Sequence, residues 1–374
     1  MVSSAPSALT RRRFALGLCG VGASVALPGI GGAATWYREA TARLPRPRAR
    51  PKTFRRGASL GLFVSKDYRG SKRGLYEAFL GEMLDAGVTD VQLIVRWAQN
   101  TIHDVNLRPD PAKEEDDETV GWVMDTARRF GLRPFLMPTI HVRRETKGSW
   151  RGAIQPADWG AWWSSYRTFI FHYAELAQRH GADLFAIGSE LVSTQGQEAQ
   201  WRSLIEAVRR RFDGKLTYSA NWDRFEGVKI WDALDLAGLN AYVPLSRILN
   251  PSETDLVQGW HAFKTQVEAW AKRHQHDFIF TEIGYPSNPY AAIRPYDYRE
   301  LGHPDEALQL RCYRALYRAW QDVDGMAGLY FWNWFGRGGP MDKGYTPRGK
   351  AAYEVIRHWY KGSMSPNGNW RGSR

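Results

Sequence analysis

The sequence predicts an α/β fold, a single (β/α)8 TIM barrel, on three observations. Short β-rich runs alternate with longer segments of helical period after residue 58, the runs number eight, and each is apolar almost throughout, as strands covered on both faces are. The strands are expected at Ser59 to Val64, Asp90 to Arg96, Arg133 to Pro138, Leu184 to Gly188, Leu216 to Ala220, Leu236 to Asn240, Phe278 to Glu282 and Ala327 to Trp332. Helical spacing marks Leu75 to Asp85, Thr119 to Phe130, Trp159 to Arg179, Ala199 to Arg211, Leu256 to His274, Glu306 to Gln321 and Lys350 to Tyr360. The fifth unit is short, with room for only a brief helix near Val228 to Trp231. A doubly wound open sheet would usually carry a Gly-rich phosphate turn after its first strand, and Phe63-Val64-Ser65-Lys66-Asp67 is no such turn. The acidic run Glu114 to Glu118 stands just before the second helix, where carboxylates suit the positive end of the macrodipole.

Ahead of the barrel, expected over residues 58–362, the composition changes. The 374-residue chain carries a formal charge of +12, but residues 1–57 hold eleven Lys/Arg against the single acid Glu39. The remainder, with 40 bases and 38 acids, is nearly neutral, which removes the argument for a nucleic-acid partner. Thr10-Arg11-Arg12-Arg13-Phe14 precedes an uncharged stretch to Ala34, the pattern of a twin-arginine export signal over residues 1–34. Its glycines and Pro28 make it a poor permanent span, and Gly32-Ala33-Ala34 offers small residues for cleavage; an uncleaved anchor is the other reading. Residues 35–57, rich in Arg and Pro, read as a basic linker, and residues 363–374 as a disordered tail. The expected product is a periplasmic or secreted monomer without membrane insertion after cleavage. Of the two cysteines, Cys19 lies in the signal, so no disulfide framework remains around Cys312. No His-Glu-x-x-His, Cys-x-x-Cys or EF-hand spacing occurs, so neither a metal nor a cofactor is expected.

A barrel builds its active site at the carboxyl ends of its strands. Two acids stand there: Glu190 closes the fourth strand in Ala186-Ile187-Gly188-Ser189-Glu190, and Glu282 closes the seventh in Phe280-Thr281-Glu282-Ile283-Gly284-Tyr285. An acid directly after an apolar strand is either paired in the core or faces the mouth, and two such acids favour the mouth. Glycoside hydrolysis needs such a pair, one to protonate the leaving oxygen and one to meet the oxocarbenium-like carbon. Arg96, in Val95-Arg96-Trp97, is expected to keep one acid ionised, and Tyr242 to donate a hydrogen bond to it.

On these motifs the chain resembles clan A glycoside hydrolases, and among them family 113, whose characterised members are β-mannanases. The resemblance spans residues 59–360. It implies Glu190 as acid/base, Glu282 as nucleophile and retention of configuration, with Arg96, His141, Tyr242 and Trp332 where the clan places a supporting Arg, His, Tyr and strand-eight Trp. Ser189 departs from the clan's Asn before the acid/base, and Asn240 stands where related families have His. The resemblance therefore leaves sugar identity and linkage open.

Trp97, Trp222 and Trp332 close or follow strands and are candidate sugar platforms, since aromatic faces bind sugar rings by dispersion; a structural role for Trp97 and Trp222 is equally open. Asn221 is a candidate for a substrate hydroxyl or a turn, and His141 and Ser189 for hydroxyl contacts. The expected partner is a β-linked polysaccharide or oligosaccharide. A catalytically silent glycan-binding barrel and a transglycosylase remain as alternatives. A phosphate site at Gly336-Arg337-Gly338-Gly339 is the weakest reading.

Overall fold

The computed structural model describes residues 38–63, 72–144, 150–299 and 302–364. The expected signal and nearly all of the expected tail lie outside them. Eight parallel strands form a closed barrel: β1 (Arg55–Gly61), β2 (Asp90–Gln99), β3 (Arg133–Val142), β4 (Leu184–Ser189), β5 (Lys215–Asn221), β6 (Leu236–Asn240), β7 (Phe278–Ile283) and β8 (Met326–Phe331). Each pairs with the next, and β8 returns to β1. The helices are α1 (Lys72–Ala86), α2 (Asp117–Arg129), α3 (Trp159–Arg179), α4 (Glu198–Arg209), α5 (Glu253–Gly259), α6 (His261–His274), α7 (Glu306–Trp320) and α8 (Ala352–Gly362). This is the TIM barrel that the alternation of elements predicts.

Strand alternation divides the core into two layers. Along β2, Ile94 joins an inner cluster with Phe135, Met137, Leu184, Ala186, Leu236, Ile279 and Tyr330. Val91, Leu93 and Val95 join the outer layer between strands and helices. Aromatic side chains fill much of that outer layer, with Trp162 stacked on Tyr166 at 4.9 Å and Trp201 edge-on to Trp163 at 5.1 Å.

Several boundaries differ from those expected. β1 begins at Arg55, four residues early, because Arg55 and Arg56 are buried with partners: Arg55 pairs with Asp90 and Asp183, and Arg56 donates to Ser363. A reading based on apolar runs passes over such residues. The expected helix from Leu256 to His274 is two helices that meet at Trp260; the first begins at a Ser252–Asp255 capping box. Only two 3₁₀ turns, Phe225–Gly227 and Trp231–Ala233, fill the short fifth unit. Of the acidic run, Asp116 caps α2 and Asp117 and Glu118 occupy its first turn. Glu114, by contrast, bridges to Phe63 and pairs with Arg96.

The largest correction concerns the basic linker. Residues 38–54 lie along the barrel floor and helix layer, with Ala40 and Phe54 buried. Arg48 donates from its backbone to Gln321 and from its guanidinium to the Asp322 carbonyl and Asp324. Arg50 donates to the Gln321 and Val323 carbonyls, and Tyr317 and Arg314 reach the Pro45 and Ala40 carbonyls. Polar bonds hold this strap, meeting carbonyls that the end of α7 leaves without helical partners. Counting apolar residues could not reveal it.

Candidate active site

Glu190 and Glu282 meet at the carboxyl end of the barrel. Glu190 follows β4 with φ of +56°, a left-handed conformation that costs a non-glycine residue about 1–2 kcal/mol. Bonds on either side hold it there: its N–H donates to the Ser219 carbonyl at 2.8 Å, the Leu191 N–H to Tyr218 Oη at 2.9 Å, and Tyr166 Oη to the Ile187 carbonyl at 2.7 Å. Register slips fall at Ala186/Ser189, Leu239/Asn240 and Phe280/Ile283, the ends of the strands that carry Glu190, Asn240 and Glu282. Such irregularities turn side chains away from strict alternation and into a shared mouth.

Both carboxylates are buried, Glu190 at 9% and Glu282 at 4% exposure. Arg151, on a 3₁₀ turn (Arg151–Ala153) after β3, pairs with Glu190 Oε2 at 2.7 Å. Asn240 Nδ2 donates to the other oxygen at 2.8 Å, while Asn240 Oδ1 accepts from Ser219 at 2.6 Å and Thr281 at 2.9 Å. Tyr242 donates to Glu282 Oε2 at 3.0 Å. Burial, and then the charge of Glu190, push the Glu282 carboxyl up to about 8, with Arg151, Tyr242 and Asn240 pulling the other way. Among the described residues Arg151 is the close cation, and a carboxyl buried beside a second carboxylate retains its proton near neutral pH. Such a pair can give a proton from one oxygen while another stays nucleophilic.

Residues 69–354 match the profile of glycoside hydrolase family 113. The chain belongs to that family. Among solved structures it is similar to a GH113 β-1,4-mannanase, with TM-score 0.74 and 26% identity over 82% of this chain and 99% of that one. It is also similar to the GH113 β-mannanase AaManA from Alicyclobacillus acidocaldarius, with TM-score 0.73 and 27% identity over 83% and 98% of the two chains. A Faecalibacterium prausnitzii β-glucuronidase shares only the fold, at 13% identity and TM-score 0.57, over 82% of this chain and 49% of that one. No curated protein matches the chain. The family 113 barrel is a glycoside hydrolase, mannanase-like in its structural relatives, and its substrate is a glycan.

The other candidate residues divide by layer. Trp332 follows β8 and packs, half-buried, on the inner cluster beneath the mouth, with Phe63 beside that same cluster. Gly284 admits this approach, because a Cβ there would lie 2.1 Å from the Trp332 carbonyl oxygen. Trp97 points the other way and packs on Phe169 and His172 of α3 at 5.4 and 5.6 Å. Trp222 likewise meets Phe263 of α6 at 6.3 Å. Both pack on the outer helices, the structural role the sequence left open, in place of the sugar-platform reading. Arg96 is corrected as well: its guanidinium pairs with Glu114 at 2.7 Å and lies 3.7 Å over the Phe63 ring, and Arg151 is the cation at Glu190.

His141, half-buried at the end of β3, is pushed down to about 4 by burial and then by the charge of Arg96, so its imidazole is neutral near pH 7. Ser189 Oγ and Asn221 Oδ1 are buried without a hydrogen-bond partner among the described residues. Sequence reasoning missed Arg151 and the linking role of Asn240. Arg151 follows a loop with no periodic pattern, near Arg143 and Arg144, and nothing in the sequence singles it out. Asn240 carried a signal, standing where related families place His, but its reach to Glu190 depends on the register slip.

Proposed function

We propose that this family 113 hydrolase cleaves β-1,4-linked mannan or its oligosaccharides with retention, with Glu190 as acid/base and Glu282 as nucleophile. The observation that carries the reading is the pair of buried carboxylates, joined through Asn240 and Tyr242 and faced by the Arg151 guanidinium. Family membership and the mannanases among the similar structures support the substrate. In the first step Glu190 gives its proton to the leaving oxygen while Glu282 attacks the anomeric carbon. In the second, Glu190 takes a proton from water as the glycosyl ester breaks. Substrate hydroxyls are the natural partners for Ser189 Oγ and Asn221 Oδ1, since an unmet buried polar atom costs about 1–3 kcal/mol. Trp332 is the platform for the sugar nearest the scissile bond.

The test is a panel of mannan, glucomannan, cellulose oligomers, xylan and chitin fragments, with products sized and the first anomer read by NMR. Mannan cleaved to a first product of retained configuration is expected. Glu282→Ala should abolish turnover, and Glu190→Ala should regain activity with azide on substrates with good leaving groups. A first product of inverted configuration would overturn the mechanism, and turnover of a different glycan alone would overturn the substrate.

A further inference from the structure

The site holds its charges in an order that matches one stage of the proposed cycle and opposes another. Both oxygens of Glu190 face donors, Arg151 at 2.7 Å and Asn240 at 2.8 Å, which is the surrounding of a carboxylate anion. Glu282 lies deeper and accepts from the neutral Tyr242 hydroxyl, while the Arg151 charge and Asn240 act on it without offsetting its burial and the charge of Glu190. Anionic Glu190 beside a neutral residue 282 is the distribution of the glycosyl-enzyme, in which Glu282 is esterified and Glu190 awaits a water proton. The first step requires the reverse, with Glu190 protonated and Glu282 anionic.

We propose that Arg151 is a positioning residue for the second half-reaction: it holds Glu190 as the base of deglycosylation and must release it when the leaving group binds. The inference rests on the double-displacement reading above. Its place in the fold suits the task. Arg151 sits on a 3₁₀ turn after β3, outside the strands that fix the glutamates. That turn continues into a segment backed by the loop after β2 through the Gln155 N–H to Ile102 carbonyl and Ala157 N–H to His103 carbonyl bonds. Glu190 is faced by Arg151 from this turn, by Glu282 from β7, by Tyr218 from β5 and by Tyr242 after β6. Arg151 is the cation of that set. In deglycosylation, water adds to the anomeric carbon, the bond to Glu282 breaks with its electron pair returning to that carboxylate, and Glu190 accepts the water proton. The Arg151 charge favours Glu190 in the form that accepts, and the same charge opposes the form that donates in the first step.

The two half-reactions should therefore respond in opposite directions. The test uses a 2,4-dinitrophenyl β-mannoside, whose leaving group makes deglycosylation limiting, with wild type, Arg151→Met and Arg151→Lys. In Arg151→Met, kcat should fall about tenfold and its acidic limb should move to higher pH, because the Arg151 cation is gone from beside the carboxylate that accepts the water proton. KM should fall with kcat as the intermediate accumulates, and with a mannan oligosaccharide, whose leaving group needs the Glu190 proton, the alkaline limb of kcat/KM should extend to higher pH. Arg151→Lys should restore most of kcat. A fall in kcat and kcat/KM together, with both limbs in place and no rescue by Lys, would overturn the proposal. Wild type separates this failure from failure of the underlying mechanism: a burst of dinitrophenol and a fluorosugar adduct on Glu282 must appear there first, and their absence would overturn both.

Discussion

One amide at Asn240 serves Glu190, Ser219 and Thr281, and a two-residue step along the chain brings Tyr242 to Glu282. Asn240→Ala should lower kcat/KM about ten- to a hundredfold, roughly 1.4–2.7 kcal/mol of transition-state stabilisation, with the fold intact. Mannan-oligosaccharide kinetics alongside a melting curve decide it, and unaltered kinetics would leave Asn240 a purely structural link. At this scale the sequence was legible where a residue's position along a strand decides its role. Glu190, Glu282 and Tyr242 all close or follow strands and meet one another there. It left Trp97 and Trp222, which also close or follow strands, open between platform and core, because which face a residue takes depends on a register the sequence does not display. Arg96 faces inward but meets Glu114, a partner eighteen positions away that the sequence assigned to a helix start.

Among elements, the eight strands and most helices were legible because burial on both faces leaves continuous apolar runs and outer helices keep a 3.6-residue period. The strap over residues 38–54 was not, because arginine donors and backbone carbonyls hold it. Its removal is a direct measure of that kind of holding. A chain beginning at residue 54 loses the buried bonds of Arg50 and those of Arg48 and Tyr317, at about 0.5–1.5 kcal/mol each. Its Tm should fall by roughly 4–8 °C. Activity below the transition should persist, because the strap meets the outer face of α7 and the segment ahead of β8 and makes no bond to Glu190 or Glu282. An unchanged Tm would mean that the strap rests on the barrel without stabilising it.

For the whole molecule, positive charge gathers ahead of residue 58 and leaves the barrel nearly neutral. We propose export by the twin-arginine route on the strength of Arg11-Arg12-Arg13 and the uncharged stretch that follows. Replacing Arg11 and Arg12 with Lys should leave folded, active enzyme in the cytoplasmic fraction, and unchanged export on fractionation would remove that reading. The strap adds a consequence for how the enzyme meets its substrate. Arg48 and Arg50 reach the segment ahead of β8, and Arg50 and Arg56 both hold Ser363, so the chain enters and leaves the barrel at its floor. Anything joined beyond residue 364 therefore attaches on the side away from Glu190 and Glu282, whereas the chain ahead of residue 44 has already climbed the outer face of α7, where Arg314 and Arg318 hold the Ala40 and Arg43 carbonyls. An enzyme tethered at its C-terminal end presents an open mouth outward, with the height of the barrel as clearance.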